Sequence, residues 1–481
     1  MAIAPSIAPL SSEPVQGAKI GAIPVSVMLV GDRRMEAETY LSSGYGIRTA
    51  IESKPVGWQR LSNLARSWQP SRLKGIQVSR RFGTPFLTAT QVFDVRPIPR
   101  KWLALAKTSQ ASDRFVPNGT ILVTCSGSVG RPTLAGLAHK DILISHDILR
   151  VEALEPTMKG WIYAFLLSPQ AREMMRSVHY GHMIKHLETS HLDALPVPCV
   201  DDSTAADFAA RVATLVNLRN RGHQLTIEAE QRFQNALGSI DVSDWGEAGF
   251  TVAASQSFQG RRRLDAANHN PGAEAIYKFL AKHGKGFTTL PKAGYDVWVP
   301  GRYKRIPSEN GVIYRDSADL LEVNPDLPKR YADCTFGDEH KGRVKEGWIL
   351  VACSGQVYGI IGTAILATKA LDNQVVSNHV LRAAPRKTSL PAGYIVTALS
   401  HPTFGRPLVK ALAFGSSVPE IDPEDLSSLQ IVRLDPADET AIAELAEASA
   451  KARSDADVLE RSIAHDAGLI MADFMKEGAS A

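Results

Sequence analysis

The strongest constraint on this chain is that it contains one sequence pattern twice. Residues 119–130 read Gly-Thr-Ile-Leu-Val-Thr-Cys-Ser-Gly-Ser-Val-Gly, and residues 347–359 read Gly-Trp-Ile-Leu-Val-Ala-Cys-Ser-Gly-Gln-Val-Tyr-Gly. Three shorter matches keep nearly the same spacing: residues 33–37 with 262–266, 145–150 with 377–382, and 180–184 with 414–418. The spacings run only from 228 (119 to 347) to 234 (180 to 414) residues. Solenoid repeats have periods of roughly 20–50 residues, so this pattern predicts a duplicated domain.

Length and composition agree with a two-domain globular protein. The chain has 481 residues, more than one hydrophobic core normally organises, and its hydrophobic (44%) and charged (22%) fractions are ordinary. No apolar run approaches the ~20 residues that span a bilayer, and residues 1–30 lack the features of a signal peptide. We therefore expect a cytoplasmic protein without a membrane partner.

The charge is unevenly distributed. Residues 31–150 contain 18 Lys+Arg and 8 Asp+Glu, residues 260–382 contain 18 and 13, and residues 436–481 contain 4 and 10. The first two stretches are thus net basic and the last is net acidic. This pattern suggests polyanion binding by the two repeats, and a solvated basic surface is an equally good explanation.

Hydrophobic periodicity predicts a mixed α/β fold. Each repeat contains short apolar runs bounded by glycine turns, which are typical of buried strands, followed by a helical segment at residues 161–175 or 393–399. Each repeat then closes with a long helix whose apolar residues recur at spacings of three, four and seven. We expect Asp202 or Ser203 to cap the first helix and Asp435 to cap the second.

These features give a domain plan. The two long helices are predicted to pair as an antiparallel coiled coil, the alternative being that each helix covers only its own repeat. The predicted segments are an N-terminal extension 1–30, a first repeat body 31–200, a first helix 201–238, a linker 239–259, a second body 260–434 and a second helix 435–476.

In this order, the duplicated segments resemble the specificity subunits of Type I restriction-modification systems. The resemblance is carried by the Arg-Met/Leu-Glu/Asp-Ala openings, by Ile-Leu-Val-x-Cys-Ser-Gly, and by the glycine turns ahead of residues 195–198 and 429–432. It covers residues 31–475 and extends to related phage-defence subunits. It implies two tandem target-recognition domains, each followed by a long helix, that read a bipartite DNA target.

The resemblance also implies partners. A specificity subunit binds double-stranded DNA and two methyltransferase subunits, and a restriction or translocase subunit can join the complex. S-adenosylmethionine would then belong to the methyltransferase, with no cofactor in this chain. The alternative interpretation is a two-headed protein-interaction adaptor without DNA specificity.

Candidate DNA-binding residues follow from what base reading requires. Phosphate anchors are basic side chains, whereas base edges are read by Arg, Lys, Asn, Gln, Ser and Thr in loops. The predicted anchors are Arg72, Lys74, Arg80, Arg81, Arg302, Lys304 and Arg305. The turns that differ between the repeats supply the predicted readers Ser126, Ser128, Arg131, His182, Lys185, Ser354, Gln356, Tyr358, Ser416 and Ser417.

Catalytic motifs are not evident in the sequence. Residues 324–327 (Asn-Pro-Asp-Leu) are a poor match to an adenine methyltransferase motif, and no glycine-rich turn suits a nucleotide. The four cysteines show no metal-ligand spacing. Cys125 with His146, or Cys353 with His379, could be nucleophilic pairs, but buried structural thiols are the simpler interpretation. We therefore predict a non-catalytic chain.

Overall fold

A computed structural model of the protein describes residues 37–72, 75–108, 110–178, 186–241, 249–258, 262–302, 304–323, 329–332 and 342–476, together with residues 23, 25 and 325. The described residues from 37 to 200 are called the first body here, and those from 262 to 434 the second body. Apart from residues 23 and 25, the predicted extension 1–30 lies outside the described residues. Residues 242–248 and 259 of the predicted linker also lie outside them. The predicted mixed α/β class is confirmed.

Each body contains a four-stranded antiparallel sheet with the same strand order, called its main sheet here. In the first body the strands, in order across the sheet, are Ala65–Trp68, Ile148–Ala153, Ile121–Thr124 and Pro132–Leu134. In the second body they are Tyr295–Trp298, Val380–Pro385, Ile349–Ala352 and Ala364–Leu366.

The Ile-Leu-Val strand of each main sheet is buried on both faces. Successive side chains of a strand point to opposite faces, and Ile121 and Val123 belong to one apolar cluster while Leu122 belongs to another. Ile349 and Leu350 divide in the same way. A run of uninterrupted apolar residues is therefore required at this position.

Smaller sheets complete each body. The first body adds Gln77–Val78, Lys101–Leu103, Thr84–Leu87 and Leu143–Ile144, and the second adds Lys329–Tyr331, Pro307–Arg315 and Val375–Val376. Two further strand pairs join the ends of the bodies: Trp58–Arg60 with Pro196–Pro198, and Phe287–Thr288 with Ile431–Val432.

Short helices cover these sheets. In the first body they are Ala37–Tyr40, Ser43–Glu52, Leu61–Leu64, Lys159–Leu167, Pro169–Val178 and Thr189–Asp193. Ala254–Ser257 lies between the bodies. In the second body they are Pro271–His283, Ser317–Leu321, Ala392–Ser400, Gly405–Ala411 and Pro423–Ser428.

The helical segment predicted at residues 161–175 is helical in the structure but is divided at Ser168. Pro169 has no backbone N–H and restricts the residue before it, so the first helix ends there and a second begins. The Ser168 hydroxyl donates to the Phe165 carbonyl at 2.7 Å and accepts from the Ala171 N–H at 3.1 Å. These bonds satisfy backbone groups that the break would leave unpaired.

The two long helices are Asp202–Leu237 and Pro436–Lys476. The first is capped by Asp201, whose side chain accepts from the Thr204 N–H at 2.7 Å, and not by the predicted Asp202 or Ser203. The residue before the first helical position is the one free to adopt an extended backbone and cap the helix.

The two long helices pack antiparallel, because residues early in the first helix contact residues late in the second. Arg211 donates to Asp466 at 2.6 Å near one end, Thr226 bonds Ser449 at 2.8 Å, and Arg232 donates to Asp438 at 3.0 Å near the other end. The helices approach closely at Gly222, where an added Cβ would meet the Arg453 side chain at 3.1 Å. None of the described helices is both long and apolar enough for a membrane span.

The helix pair carries one apolar core near each end. Phe208 of the first helix and Ile463 of the second belong to the core of the first body. Phe233 of the first helix and Ile442 of the second belong to the core of the second body. No described residue belongs to both cores, so each body packs on both helices without merging with the other body.

Candidate nucleic-acid interface

The turn after the Ile-Leu-Val strand is built alike in both bodies. The chain leaves the strand through Cys-Ser-Gly, and the glycines Gly127 and Gly355 adopt φ values of +69° and +133°, which other residues rarely adopt. A tight turn therefore follows the strand in each body, and its polar side chains lie at the edge of the main sheet.

In the second body, the structure brings two predicted reading turns together. The Gln356 side-chain amide donates to the Ser417 carbonyl at 2.9 Å, and the Gly355 N–H donates to the Pro419 carbonyl at 3.1 Å. Gln356, Tyr358, Ser416 and Ser417 are exposed, and Tyr358 retains 70% of its accessible surface. Side chains separated by about 60 residues in sequence thus share one exposed surface.

The first body repeats this arrangement as far as it is described. Ser126 pairs with His186 in an antiparallel bridge, and the Leu187 N–H donates to the Cys125 carbonyl at 2.8 Å. Ser128 is exposed and Ser126 is half-buried. The predicted residues Lys74, His182 and Lys185 lie outside the described residues.

The basic segments leave the main sheets at matching positions. The strands Ala65–Trp68 and Tyr295–Trp298 both continue as Trp-x-Pro-x-Arg, ending at Arg72 and Arg302. Both arginines are exposed, and the prolines before them are buried. Both arginines are predicted phosphate anchors, and the Trp-x-Pro-x-Arg match at a spacing of 230 residues (72 to 302) is visible in the sequence itself.

In the first body this basic segment lies beside the Cys-Ser-Gly turn. The Gln69 amide donates to the His146 carbonyl at 2.7 Å and to the Cys125 sulfur at 3.4 Å. Burial lowers the pKa of His146, Asp147 opposes that shift, and the positive charges of Arg114 and Arg72 add to it. The Arg72 guanidinium is therefore close enough to act on this edge of the sheet electrostatically.

Further basic residues lie beside aromatic rings. Arg80 lies 5.9 Å from the Trp102 ring centroid and Arg81 lies 5.5 Å from that of Phe82, a side chain that is 73% exposed. In the second body, Lys304 is exposed, whereas Arg305 donates to the Tyr314 hydroxyl at 3.3 Å and lies 4.0 Å from the Asp316 carboxylate. Arg305 is consequently partly neutralised.

Two predicted readers are buried. Arg131 is 6% exposed, donates to the Glu322 carboxylate at 2.6 Å and to the Val323 carbonyl at 2.9 Å, and stacks on the Phe93 ring at 4.0 Å. Ser354 is 9% exposed and bonds the His379 ring at 2.9 Å. Both side chains are held by contacts within the protein, so neither is available to contact a base.

The bodies also touch through a contact that the sequence analysis missed. The Val95 N–H donates to the Leu321 carbonyl and the Val323 N–H donates to the Phe93 carbonyl, both at 2.7 Å. Residues 93–95 (Phe-Asp-Val) correspond to residues 321–323 (Leu-Glu-Val) at a spacing of 228 (93 to 321), within the range of the repeat. Equivalent segments therefore pair with each other, as they would across a two-fold axis of a dimer. The helices are not the only connection between the bodies.

The two cysteines of the repeated Cys-Ser-Gly turns are poorly suited to nucleophilic catalysis. Burial raises the pKa of Cys125 to about 12 and that of Cys353 to about 11. The thiolate is the reactive form, and a nucleophilic cysteine needs a lowered pKa. Among the described residues there is also no group of three or more His, Cys, Asp or Glu side chains that could hold a metal ion.

No protein-family model and no curated protein sequence matches this chain. Several solved structures are similar to it over most of its length. The Type I restriction-modification S subunit from M. genitalium has 13% identity and a TM-score of 0.31, with 88% of this chain and 96% of that chain covered. The HsdS subunit from Thermoanaerobacter tengcongensis has 12% identity and a TM-score of 0.25, with 88% and 97% covered.

A chain from a type I R-M system, from work on complex assembly and conformational transition, has 12% identity and a TM-score of 0.25, with 86% and 98% covered. These solved structures are S subunits or components of type I systems, the family that the sequence resembles. Their identities and TM-scores are low, so the function has to be supported by this chain's own residues.

Proposed function

We propose that this protein is a non-catalytic DNA-specificity subunit that reads an interrupted, asymmetric target. Each body is a target-recognition domain that contacts one half of the target. The two long helices form an antiparallel coiled coil that spaces the domains and docks two methyltransferase subunits, which carry S-adenosylmethionine. A restriction or translocase subunit can join this complex. The observation that carries the proposal is a shared scaffold with matched basic segments and unlike exposed turns.

The matched basic segments suit phosphate anchoring. Arg72 and Arg302 follow the same strand of the main sheet and are exposed. Contacts to phosphate fix the position of a protein on the duplex without reading sequence. Two anchors at equivalent positions would therefore place the two domains on DNA in the same manner.

The unlike turns suit the reading of two different sequences. Where the first domain has Ser128, the second has Gln356 and an exposed Tyr358. A glutamine can pair bidentately with adenine, whereas a serine hydroxyl accepts several bases. The proposal therefore predicts that the two half-sites differ.

The length of the helix pair suits an interrupted target. Phe208 and Phe233, which belong to the two cores, are 25 residues (208 to 233) apart on one helix. At 1.5 Å per residue this is about 38 Å, close to the ~34–36 Å of one turn of B-DNA. Two domains at that separation can face the same side of a duplex and leave the bases between them unread.

Selection of bound duplexes from a random library tests the proposal directly. The protein, purified with its methyltransferase, is expected to enrich one sequence made of two defined halves and an unspecified spacer. Methylation sequencing of the host with and without the gene should give the same sequence. Uniform enrichment of all duplexes would contradict the proposal.

A matched pair of lysine variants tests the anchoring surface. Lys304→Ala is expected to weaken binding to all duplexes and to lower the slope of log K against log salt by about 0.9, the value for one phosphate contact. Lys278, which is also exposed and lies on the helix Pro271–His283, is the control. DNA binding that is insensitive to salt and to Lys304→Ala would instead favour the protein-interaction adaptor.

A further inference from the structure

A cavity of about 390 Å³ lies where the two bodies meet the two long helices. It is called the inter-body cavity here. Small-molecule sites typically enclose ~300–1,000 Å³, so its volume suits a ligand but not a DNA duplex. Both bodies and both long helices line it. Basic side chains outnumber acidic ones in the lining: the basic residues are Arg96, Arg100, Arg315, Arg406, Lys410, Arg453 and Arg461, and the acidic residues are Asp94, Glu230, Asp319, Glu322 and Asp457.

Among the residues that the structure describes, three of these cations donate hydrogen bonds only to neutral acceptors. Arg406 donates to the Thr363 hydroxyl at 3.0 Å, Lys410 to the Val357 carbonyl at 2.6 Å, and Arg453 to the Thr226 hydroxyl at 2.7 Å. Within the part of the chain that the structure describes, no carboxylate lies at ion-pair distance from any of the three. Arg96 differs, because it forms an ion pair with Glu230.

The cations also disfavour one another. Burial lowers the pKa of Lys410 to about 8, and the neighbouring charges of Arg406 and Arg100 contribute. Burial likewise lowers the pKa of Arg406 to about 10, with Arg100 adding to the shift and Asp94 opposing it. Since desolvated like charges raise the free energy of the folded protein, an anion in the cavity would be stabilised by several donors at once.

One wall of the cavity is apolar. Leu321, Ile360, Leu366 and Val396 contribute to its lining, with Ala446 from the second long helix. A bare inorganic anion would leave these side chains without a contact. A ligand with an anionic group and a flat or apolar body would satisfy both parts of the lining.

We propose that the inter-body cavity binds a free nucleoside phosphate. Its phosphate groups lie among Arg406, Lys410 and Arg453, and its base packs on the apolar wall. This assignment uses the cavity alone and does not depend on DNA recognition by the two bodies.

Ligand binding would also act on the second body's reading turn. Lys410 and Arg406 donate to the Val357 and Gly359 carbonyls in that turn, at 2.6 and 3.4 Å, and Tyr358 lines the cavity. A phosphate that attracts these two cations would compete with the turn for them. Occupancy would thus alter how the second half-site is read, a consequence that rests on the proposed function.

Isothermal titration of the full chain with ATP, without DNA, tests the proposal. Saturable binding is expected, with pyrophosphate binding at least tenfold more weakly because it lacks a base. Arg406→Gln and Arg453→Gln should each weaken ATP binding tenfold or more, the usual cost of a charge-assisted hydrogen bond. Arg386→Gln, a surface control, should leave binding unchanged.

The absence of detectable ATP binding at concentrations up to ~1 mM would overturn the proposal, because a dissociation constant above that value corresponds to very weak binding. Equal affinities for ATP and pyrophosphate would overturn it as well.

A measurement on the unaltered protein guards against variants that misfold. ATP should lower the rate of Lys410 acetylation by acetic anhydride several-fold and leave that of Lys278 unchanged. Equal acetylation of Lys410 with and without ATP would overturn the site. None of these results bears on DNA binding, so the two proposals fail separately.

Discussion

Arg150 in the first body and Arg382 in the second occupy the same position of the main sheet, opposite Trp68 and Trp298 respectively. Both are fully buried, and both donate to the carbonyls of the turn before their strand, Arg150 to Ser145 at 3.1 Å and Arg382 to Ser377 at 2.8 Å. At the exposed turns, by contrast, the bodies share almost no side chains. The duplicated chain thus retains this buried polar contact and varies its exposed turns, as expected for a fixed scaffold that presents different surfaces.

The first prediction tests the shared scaffold. Arg150→Met and Arg382→Met each leave several buried carbonyls without a donor, and we expect each to lower the free energy of unfolding by about 3–5 kcal/mol. Urea denaturation followed by circular dichroism measures the change. A loss in one body but not in the other would show that the two scaffolds are not equivalent.

The second comparison concerns the pair of equivalent residues Asp94 and Glu322, which face each other between the bodies. Glu322 has an ion-pair partner in Arg131. The residue that matches Arg131 in the second body, by the spacing of 232 (132 to 364) between the following strands, is Thr363. The contact between the bodies is therefore symmetric in its backbone and asymmetric in its charges.

The second prediction breaks this asymmetric contact. Arg131→Met removes the buried guanidinium that forms an ion pair with the half-buried Glu322 carboxylate, so we expect a loss of about 3 kcal/mol in the free energy of unfolding. Arg386→Met is the matched control, because Arg386 also bonds a carboxylate, Asp296, at 2.9 Å but on the surface. That change should cost about 0–1 kcal/mol. Equal losses in the two variants would contradict a buried cross-body ion pair.

The third prediction uses the other carboxylate of the pair. Burial raises the pKa of Asp94 to about 7; Glu322 adds to the shift, and Arg100, Arg406 and Arg131 oppose it. Between about pH 4 and pH 7 the Asp94 carboxyl therefore stays protonated in the folded protein but is ionised in the unfolded chain. The free energy of unfolding consequently falls as the pH rises through this range. Asp94→Asn removes that loss, and we expect the variant to be about 2 kcal/mol more stable than the unaltered protein at pH 8.

Urea denaturation at pH 4.5, 6 and 8 measures this effect as a difference that grows with pH. Glu322→Gln is the comparison, because it removes a carboxylate with an ion-pair partner and should destabilise the protein at pH 8. A difference between Asp94→Asn and the unaltered protein that does not change with pH would show that Asp94 titrates normally.

The sequence predicted what depends on local pattern. The Ile-Leu-Val strands and the long helices follow from periodicity and from the repeat itself. That Ser416 and Ser417 lie beside the Cys-Ser-Gly turn was not predicted. Arg131 shows what local pattern cannot give. It lies in a polar turn and is of a residue type that commonly contacts bases, yet its partner Glu322 is 191 residues away in the other body. Only the tertiary structure determines which loop charges remain exposed.

Other errors had a signal that the sequence contained. Pro169 marked the break in the predicted helix, and Asp201 preceded the first long helix with a capping side chain. The equivalence of residues 93–95 and 321–323 could have been found by aligning the repeats without gaps at a spacing of 228 (93 to 321). The alignment could not have shown that these two segments touch, because it identifies equivalent positions and not spatial contacts.

The last prediction tests the exposed turns, where the bodies differ. Gln356→Ala should reduce discrimination among bases in the second half-site by about 1 kcal/mol, or roughly fivefold. The effect lies at the low end for a base contact because the Gln356 amide already donates one hydrogen bond to Ser417. Ser128→Ala should have a similar or smaller effect, confined to the first half-site. Competition binding with duplexes altered in one half at a time separates the two. If either variant relaxed both half-sites equally, the turns would act on the shared scaffold, and the division of the target between the two bodies would be wrong.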